Sequence, residues 1–334
     1  MNPRGRVYLA VALIALAAAA VVVAAVLVTR NTAGGAAPAR AKPKPGAPPL
    51  ALDLGVRDDA EARALQRAAR LYGRGERAAA GRIFERHSSV QAQVGAAFAA
   101  WAPADAARTR VVRRLEAIAR VHPRSAFARL HLGLARLSAG NTRGALAAWR
   151  AALRADPDSA SAVEADTLLH PNFPRGLPTF VPSFSPPAGL GRLAPARQLD
   201  ALALGARKPD VRAKLLYGVA LQRLERPRSA EREYAAAAAL APNDAEAQTA
   251  AAVGRFDKSH PERAFSQLGP LVRRFPHAPT VRFHLGLLLL WLGQLDTAEK
   301  ELRRAHAEGP STPLGREAMR FLTRLEGIKS LRTK

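Results

Sequence analysis

The chain is 334 residues long, 48% hydrophobic yet only 5% aromatic, and rich in Ala and Leu, a balance that argues against a strand-built core and for closely packed helices. Lys and Arg number 51 against 27 Asp and Glu, a formal net charge of +24; the excess is mostly Arg and is spread along the chain instead of forming one basic run, which argues against nucleic acid as a partner. Cysteine is absent, so disulfides, thiolate metal sites and cysteine nucleophiles are excluded together.

A basic tail, residues 1–6, precedes Val7 to Val28, which reads VYLAVALIALAAAAVVVAAVLV without a charge. At about 1.5 Å per residue such a run crosses a hydrocarbon core of roughly 30 Å as one helix. A cleaved signal peptide has a shorter apolar region that ends in a small-residue site, whereas this one ends Val26-Leu27-Val28-Thr29-Arg30. The reading is a single-pass transmembrane helix over 7–28, with the protein held at a cell membrane. Arg30, Arg40, Lys42 and Lys44 beyond the run outnumber Arg4 and Arg6 before it, and by that count the body would be cytoplasmic. A basic cap directly before a first apolar helix nevertheless resembles an amino-terminal signal anchor, and the expectation is an extracytoplasmic body. Residues 29–52, with KPKPGAPP near their end, read as a semi-rigid linker.

Beyond the linker, prolines recur at Pro123, Pro157, Pro209, Pro242, Pro276 and Pro310, so the gaps are 34, 52, 33, 34 and 34 residues. Most follow one amphipathic run and precede another, the mark of an internal repeat built from helix pairs. Gly133, Gly218 and Gly286, with Ala145, Ala230, Ala264 and Ala298, stand where two helices must approach closely. Trp149, Tyr234 and Leu302 are the large residues expected to fill the space between neighbouring units, and proline stops each pair.

This pattern resembles the tetratricopeptide repeat, a 34-residue pair of antiparallel helices with a W-x2-L-G-x2-Y, A-x3-F, P signature. One unit carries Arg129, Leu132, Gly133, Arg136, Ala145, Trp149 and Pro157; a second carries Lys214, Tyr217, Gly218, Leu221, Ala230, Tyr234 and Pro242; a third carries Arg282, Leu285, Gly286, Leu289, Ala298, Leu302 and Pro310. A weaker copy holds Ala251, Ala252, Ala264, Leu268 and Pro276, and two degenerate ones run from Glu61 to Ala92 and from Ala92 to Pro123. The chain departs from the family where the usual aromatic of the first helix is basic, at Arg129, Lys214 and Arg282. The resemblance implies an all-α, right-handed solenoid of helix-turn-helix repeats over 53–312, with a Pro-rich insertion at 171–194, a capping helix at 313–326 and a basic tail at 327–334.

The resemblance also implies a ligand groove lined by the first helices. The residues expected there are Leu130, Leu134 and Leu137, then Leu215 and Val219, then Phe283, Leu287 and Leu290; an apolar surface of that size marks an interaction site unless adjacent repeats cover it. The insertion HPNFPRGLPTFVPSFSPPAGLG carries Phe173, Phe180 and Phe184, which a solvated linker has no reason to hold. Either it lies over the groove, shaping or occupying a partner site, or it packs outside as a staple. RLHLGL and RFHLGL place His131 and His284 at equivalent positions of non-adjacent repeats; they read as a structural echo, too far apart to share a metal ion.

No G-x-x-x-x-G-K-[ST], H-E-x-x-H, G-x-S-x-G or G-x-G-x-x-G motif occurs with its required context. Glu231 and Glu233, like Glu299 and Glu301, lie two apart, a spacing that does not share a helix face. The sequence thus calls for no enzyme, cofactor or metal. It points to a bacterial envelope scaffold that binds a protein or peptide, with an electrostatic adaptor for an anionic lipid, wall polymer or nucleic acid as the alternative and homo-oligomerisation through the groove as a third reading.

Overall fold

The computed structural model describes residues 47–332, with side chains to 327. Among the described residues there are fifteen α-helices, one short 3-10 turn at Leu190–Arg192 and no strand. They fall into two compact units, 47–169 and 170–332.

The first unit holds α1 (Ala60–Gly73), α2 (Arg77–Phe84), α3 (Val90–Ala99), α4 (Asp105–Val121), α5 (Ala126–Ser138), α6 (Thr142–Ala155) and α7 (Ala160–Leu169). The second holds α8 (Pro195–Ala206), α9 (Val211–Arg223), α10 (Pro227–Leu240), α11 (Ala245–Gly254), α12 (Glu262–Arg274), α13 (Pro279–Trp291), α14 (Leu295–Glu308) and α15 (Pro313–Arg332). The helices pair as α1/α2, α3/α4 and α5/α6, then α9/α10, α11/α12 and α13/α14, and within each unit successive first helices also touch one another.

Local chemistry sets where each pair begins and turns. Asp59, Ser89, Ser125, Asp210 and Asp244 cap first helices, each side chain accepting the amide three residues on, which satisfies a donor that has no partner inside the helix. Four first helices end in the same reversal. The amides of Glu76, Asn141, Arg226 and Gln294 reach back to the carbonyls of Leu71, Arg136, Leu221 and Leu289, and Gly75, Gly140, Glu225 and Gly293 take a positive φ at the bend. This is the left-handed helix ending that usually needs glycine.

The glycines stand at close approaches between paired helices, as expected, but the large residues expected between neighbouring units meet them within the pair. A Cβ on Gly133 would run into the Trp149 indole, one on Gly218 into the Tyr234 ring, and one on Gly286 into Leu302. The Trp149 Nε1 also donates to the Leu130 carbonyl at 3.3 Å. In the degenerate part of the array a different contact, Gly95 on α3 against Phe84 on α2, joins one pair to the next. At the other end α15 buries Leu314, Ala318, Phe321, Leu322 and Leu325, covering the face that the last pair would otherwise leave open.

Two of the three first-helix cations have acidic partners nineteen residues on. Lys214 meets Glu233 at 3.6 Å, and Arg282 meets Glu301 at 3.0 Å. Arg129 has Ala148 at that spacing and donates instead to the Pro123 carbonyl at 2.7 Å.

One expectation is corrected. Among the described residues no helix is long and apolar enough to cross a membrane; the longest, α15, carries Arg316, Glu317, Arg320, Arg324 and Glu326. Placement of the body at a cell membrane, on its outer side, therefore has no support in the described structure. The run Val7 to Val28, the basic tail and most of the linker lie outside the described residues.

Candidate functional site

In the first unit, residues 47–54 form no helix or strand and lie against the first helices. The Tyr72 hydroxyl of α1 donates to the Pro48 carbonyl at 2.6 Å, the Gln91 amide of α3 donates to the Asp53 carbonyl at 3.2 Å, and the Ala51 amide donates to Nε2 of His131 on α5 at 3.4 Å. Leu54 is buried in the core of this unit, with Ala47, Leu50 and Leu52 packed against it.

In the second unit the insertion does the same. The Phe180 amide donates to Oε1 of Gln222 on α9 at 2.9 Å, the Val181 amide to Nε2 of His284 on α13 at 2.9 Å, and the Ser183 amide to the Glu246 carboxylate on α11. Gln222 is held in turn by the Tyr234 hydroxyl at 2.7 Å. The prolines Pro178 and Pro182 bias Leu177 and Val181 toward extended backbone, which keeps these amides free for side-chain acceptors.

Both histidines are fully buried and are held in one tautomer. Nδ1 of His131 lies 2.8 Å from the Phe127 carbonyl, and Nδ1 of His284 lies 2.7 Å from the Thr280 carbonyl. A carbonyl can only accept, so Nδ1 carries the proton and Nε2 is left to receive the peptide amide. Burial pushes both imidazoles down to about 4, so they are neutral at physiological pH. Burial also raises the Glu246 carboxyl.

The three phenylalanines of the insertion are separately seated. Phe180, 1% exposed, stacks on His284 at 4.8 Å and meets Tyr234 edge-on at 5.6 Å. Phe173 meets Phe256 at 6.3 Å. Phe184 lies under the Arg212 guanidinium at 5.2 Å.

Of the residues expected in the groove, Leu130, Leu134, Leu215, Val219, Phe283, Leu287 and Leu290 are buried, and Leu137 is 42% exposed. Leu215 and Val219 share a core cluster with Phe180, while Phe283, Leu287 and Leu290 share one with Val181. Leu130 and Leu134 belong to the cluster that contains Leu54. Sequence reasoning missed the main-chain grip of Tyr72 and Gln91, which donate to carbonyls, and of His131, Gln222, Glu246 and His284, which accept amides. The signal available was the RLHLGL and RFHLGL pair, which marked the two histidines without saying what they hold. Among the described residues no group of three or more His, Asp or Glu side chains is gathered as a metal site would require.

Helix pairs at a pitch near 34 residues, three of them closed by a glycine on the first helix against a large residue on the second, have the architecture of tetratricopeptide-type repeats, and that is the fold the described residues define. No family model matches the chain, and no curated protein does. Solved structures resemble it at low similarity. A tetratricopeptide repeat protein from Parabacteroides merdae is 12% identical, covering 80% of this chain and 98% of its own, with a TM-score of 0.33. YrrB, described as a TPR protein with an unusual peptide-binding site, is 18% identical over 63% of this chain and 99% of its own, with a TM-score of 0.31. Yeast Tom70 is 13% identical over 84% of this chain and 52% of its own, with a TM-score of 0.32. None of these likenesses bears on function.

Proposed function

We propose that this protein is an interaction scaffold whose second unit binds an extended peptide of a partner protein on its first-helix face, where the insertion now lies. The observation that carries the reading is the set of amides of Phe180, Val181 and Ser183 received by Gln222, His284 and Glu246, three side chains from three successive first helices. Main-chain recognition of this kind accepts many sequences, and the apolar residues beneath it supply the selectivity. Leu215, Val219, Phe283, Leu287 and Leu290 are the residues assigned that part, with Leu130, Leu134 and Leu137 in the corresponding place of the first unit.

The test replaces Asn172 to Ala188 with a Gly/Ser linker of equal length in the full chain and pans it against a displayed library of random peptides. The expected result is enrichment of peptides whose retention is lost when His284→Phe is added. A variant that keeps its helical circular dichroism and enriches nothing would overturn the proposal.

A further inference from the structure

The two gripped segments can be aligned on the residue whose amide the histidine receives, Ala51 in one and Val181 in the other. The supporting side chains then fall into register. His131 stands six residues after the cap Ser125, as His284 stands six after Ala278; Gln91 stands two after the cap Ser89, as Glu246 stands two after Asp244. In both units the main-chain group held by Gln91 or Glu246 belongs to the residue two beyond the histidine-held one, Asp53 or Ser183. The two segments therefore run in the same direction over equivalent helices.

The same alignment sets APPLALDL, residues 47–54, over LPTFVPSF, residues 177–184. Three positions before the histidine-held residue both have a buried proline, Pro48 and Pro178. One before it they have Leu50 and Phe180, one after it Leu52 and Pro182, and three after it Leu54 and Phe184. Between the last two stands a short polar residue, Asp53 or Ser183. Chain proximity does not explain this agreement, since the histidine-held amides lie 80 and 103 residues from their acceptors.

We infer that the two faces are copies of one peptide site, and that its ligand is an extended segment with proline at −3, apolar residues at −1, +1 and +3 and Asp or Ser at +2, counted from the histidine-held residue. The inference rests on the proposed function and specifies its ligand. Residues 47–54 and 177–184 are resident ligands of that chemistry, and a partner segment with the same pattern competes with them. The positions divide the work. A proline at −3 reduces the conformational freedom lost on binding, the apolar residues at −1 and +3 fill the core clusters, and the amide at 0 satisfies an acceptor that would otherwise be buried without a donor. The grip at +2 differs in polarity, because Gln91 donates to a carbonyl whereas Glu246 accepts from an amide. A strictly equal affinity for the two sites is therefore not expected.

The test uses two synthetic peptides, residues 46–55 and 176–185, each with a fluorophore and a benzophenone side chain at −1. They are added to the unaltered full chain and to the full chain with Asn172 to Ala188 replaced by Gly/Ser, and crosslinks are mapped by mass spectrometry. Both peptides are expected to crosslink to α9 or α13 of the replaced chain, beside Tyr234 and His284, and more weakly to the unaltered chain because the resident segment competes. Changing the −3 proline to Asp, or His284→Phe in the protein, is expected to weaken binding about tenfold, the size of one lost buried hydrogen bond or apolar anchor. Binding of 176–185 without 46–55 would overturn the shared-pattern inference and leave the proposed function standing. If neither peptide bound a replaced chain that keeps its helical signal, both would fall. If the replaced chain lost its fold, crosslinking to the unaltered chain decides: labelling of α9 or α13 by both peptides sustains the inference, and its absence at millimolar peptide overturns it.

Discussion

Nε2 of His284 accepts the main-chain amide of Val181 at 2.9 Å, 103 residues away in sequence, inside a core that water does not reach. The geometry requires a neutral ring, since a protonated imidazole has two donors and no acceptor. The same holds for His131 and Ala51. Burial depresses both folded-state values to about 4, against roughly 6.5 for an unfolded histidine. Between those values the unfolded chain binds more protons, so the stability from each neutral histidine is complete above pH ~6.5 and is lost as the pH falls toward 4. The limit is on the order of 3 kcal/mol per histidine. Hydrogen exchange of the Val181 amide should accelerate over that window. Thermal unfolding of His284→Gln, whose side chain does not titrate, should lose part of the acid slope that the parent shows. An equal slope in both proteins would contradict the assignment.

The Gly218 and Tyr234 contact predicts strong coupling between two positions. Gly218→Ala pushes a methyl into the Tyr234 ring, and overpacking of this kind costs about 1 to 3 kcal/mol. Tyr234→Ala empties a fully buried ring site at a cost of about 3 to 5 kcal/mol. In the double variant the methyl has room, so its cost should fall short of the sum by about 1 kcal/mol or more. Chemical denaturation of the four proteins measures the cycle, and additivity would mean that the two side chains do not meet.

The repeat pitch and the small residues at the close approaches were legible in the sequence because both are local and recur, whereas the large residues were expected between units and meet those glycines within the pair. Gly133 and Trp149 are sixteen residues apart, as are Gly218 with Tyr234 and Gly286 with Leu302. Gly95 escaped notice because it follows its cap Ser89 by six residues, where Gly133 follows Ser125 by eight, and it meets Phe84 of the preceding helix pair instead of its own. The basic residues at Lys214 and Arg282 were visible, but their pairing with Glu233 and Glu301 was not, since no local spacing rule joins a cation to an acid nineteen residues on. The resident segments were hidden most deeply. Pro48 and Pro178 fall into register only after the histidines are known to hold Ala51 and Val181, and no short-range pattern connects residues that far apart.

Glu225 is the one described residue other than glycine with a positive φ, 55°. It stands at the bend between α9 and α10 where Gly75, Gly140 and Gly293 serve the other pairs. A side chain in that region costs roughly 1 to 2 kcal/mol, part of which glycine returns through its greater freedom when unfolded. Glu225→Gly should therefore raise the denaturation midpoint by an amount near 0.5 kcal/mol. Gly140→Ala, where an added Cβ meets nothing within 4 Å, should lower stability by about 1 kcal/mol from backbone strain alone. A fall for the first substitution would show that the Glu225 side chain contributes more than its backbone loses.

Arg282 and Glu301 are 13% and 12% exposed and meet at 3.0 Å, with Glu308 3.6 Å from the same guanidinium. Such a pair binds two helices of one repeat but carries a desolvation cost, so its net worth is small while the loss of one partner is not. Arg282→Met should destabilise the second unit by up to about 3 kcal/mol, because Glu308 loses the Arg282 guanidinium and Glu301 keeps only the exposed Arg304, at 3.4 Å. The combined variant Arg282→Met, Glu301→Leu should recover most of that loss, since a methionine in the first helix then packs against an apolar partner as the family aromatic would. Glu308 keeps its carboxyl, which burial already raises, so the recovery should be larger at pH 5 than at pH 8, because protonation removes the charge left without its guanidinium. Thermal unfolding of the parent and the two variants at both values checks this. A double variant no more stable than the single one at pH 5 would mean that the ion pair, not packing, holds α13 to α14.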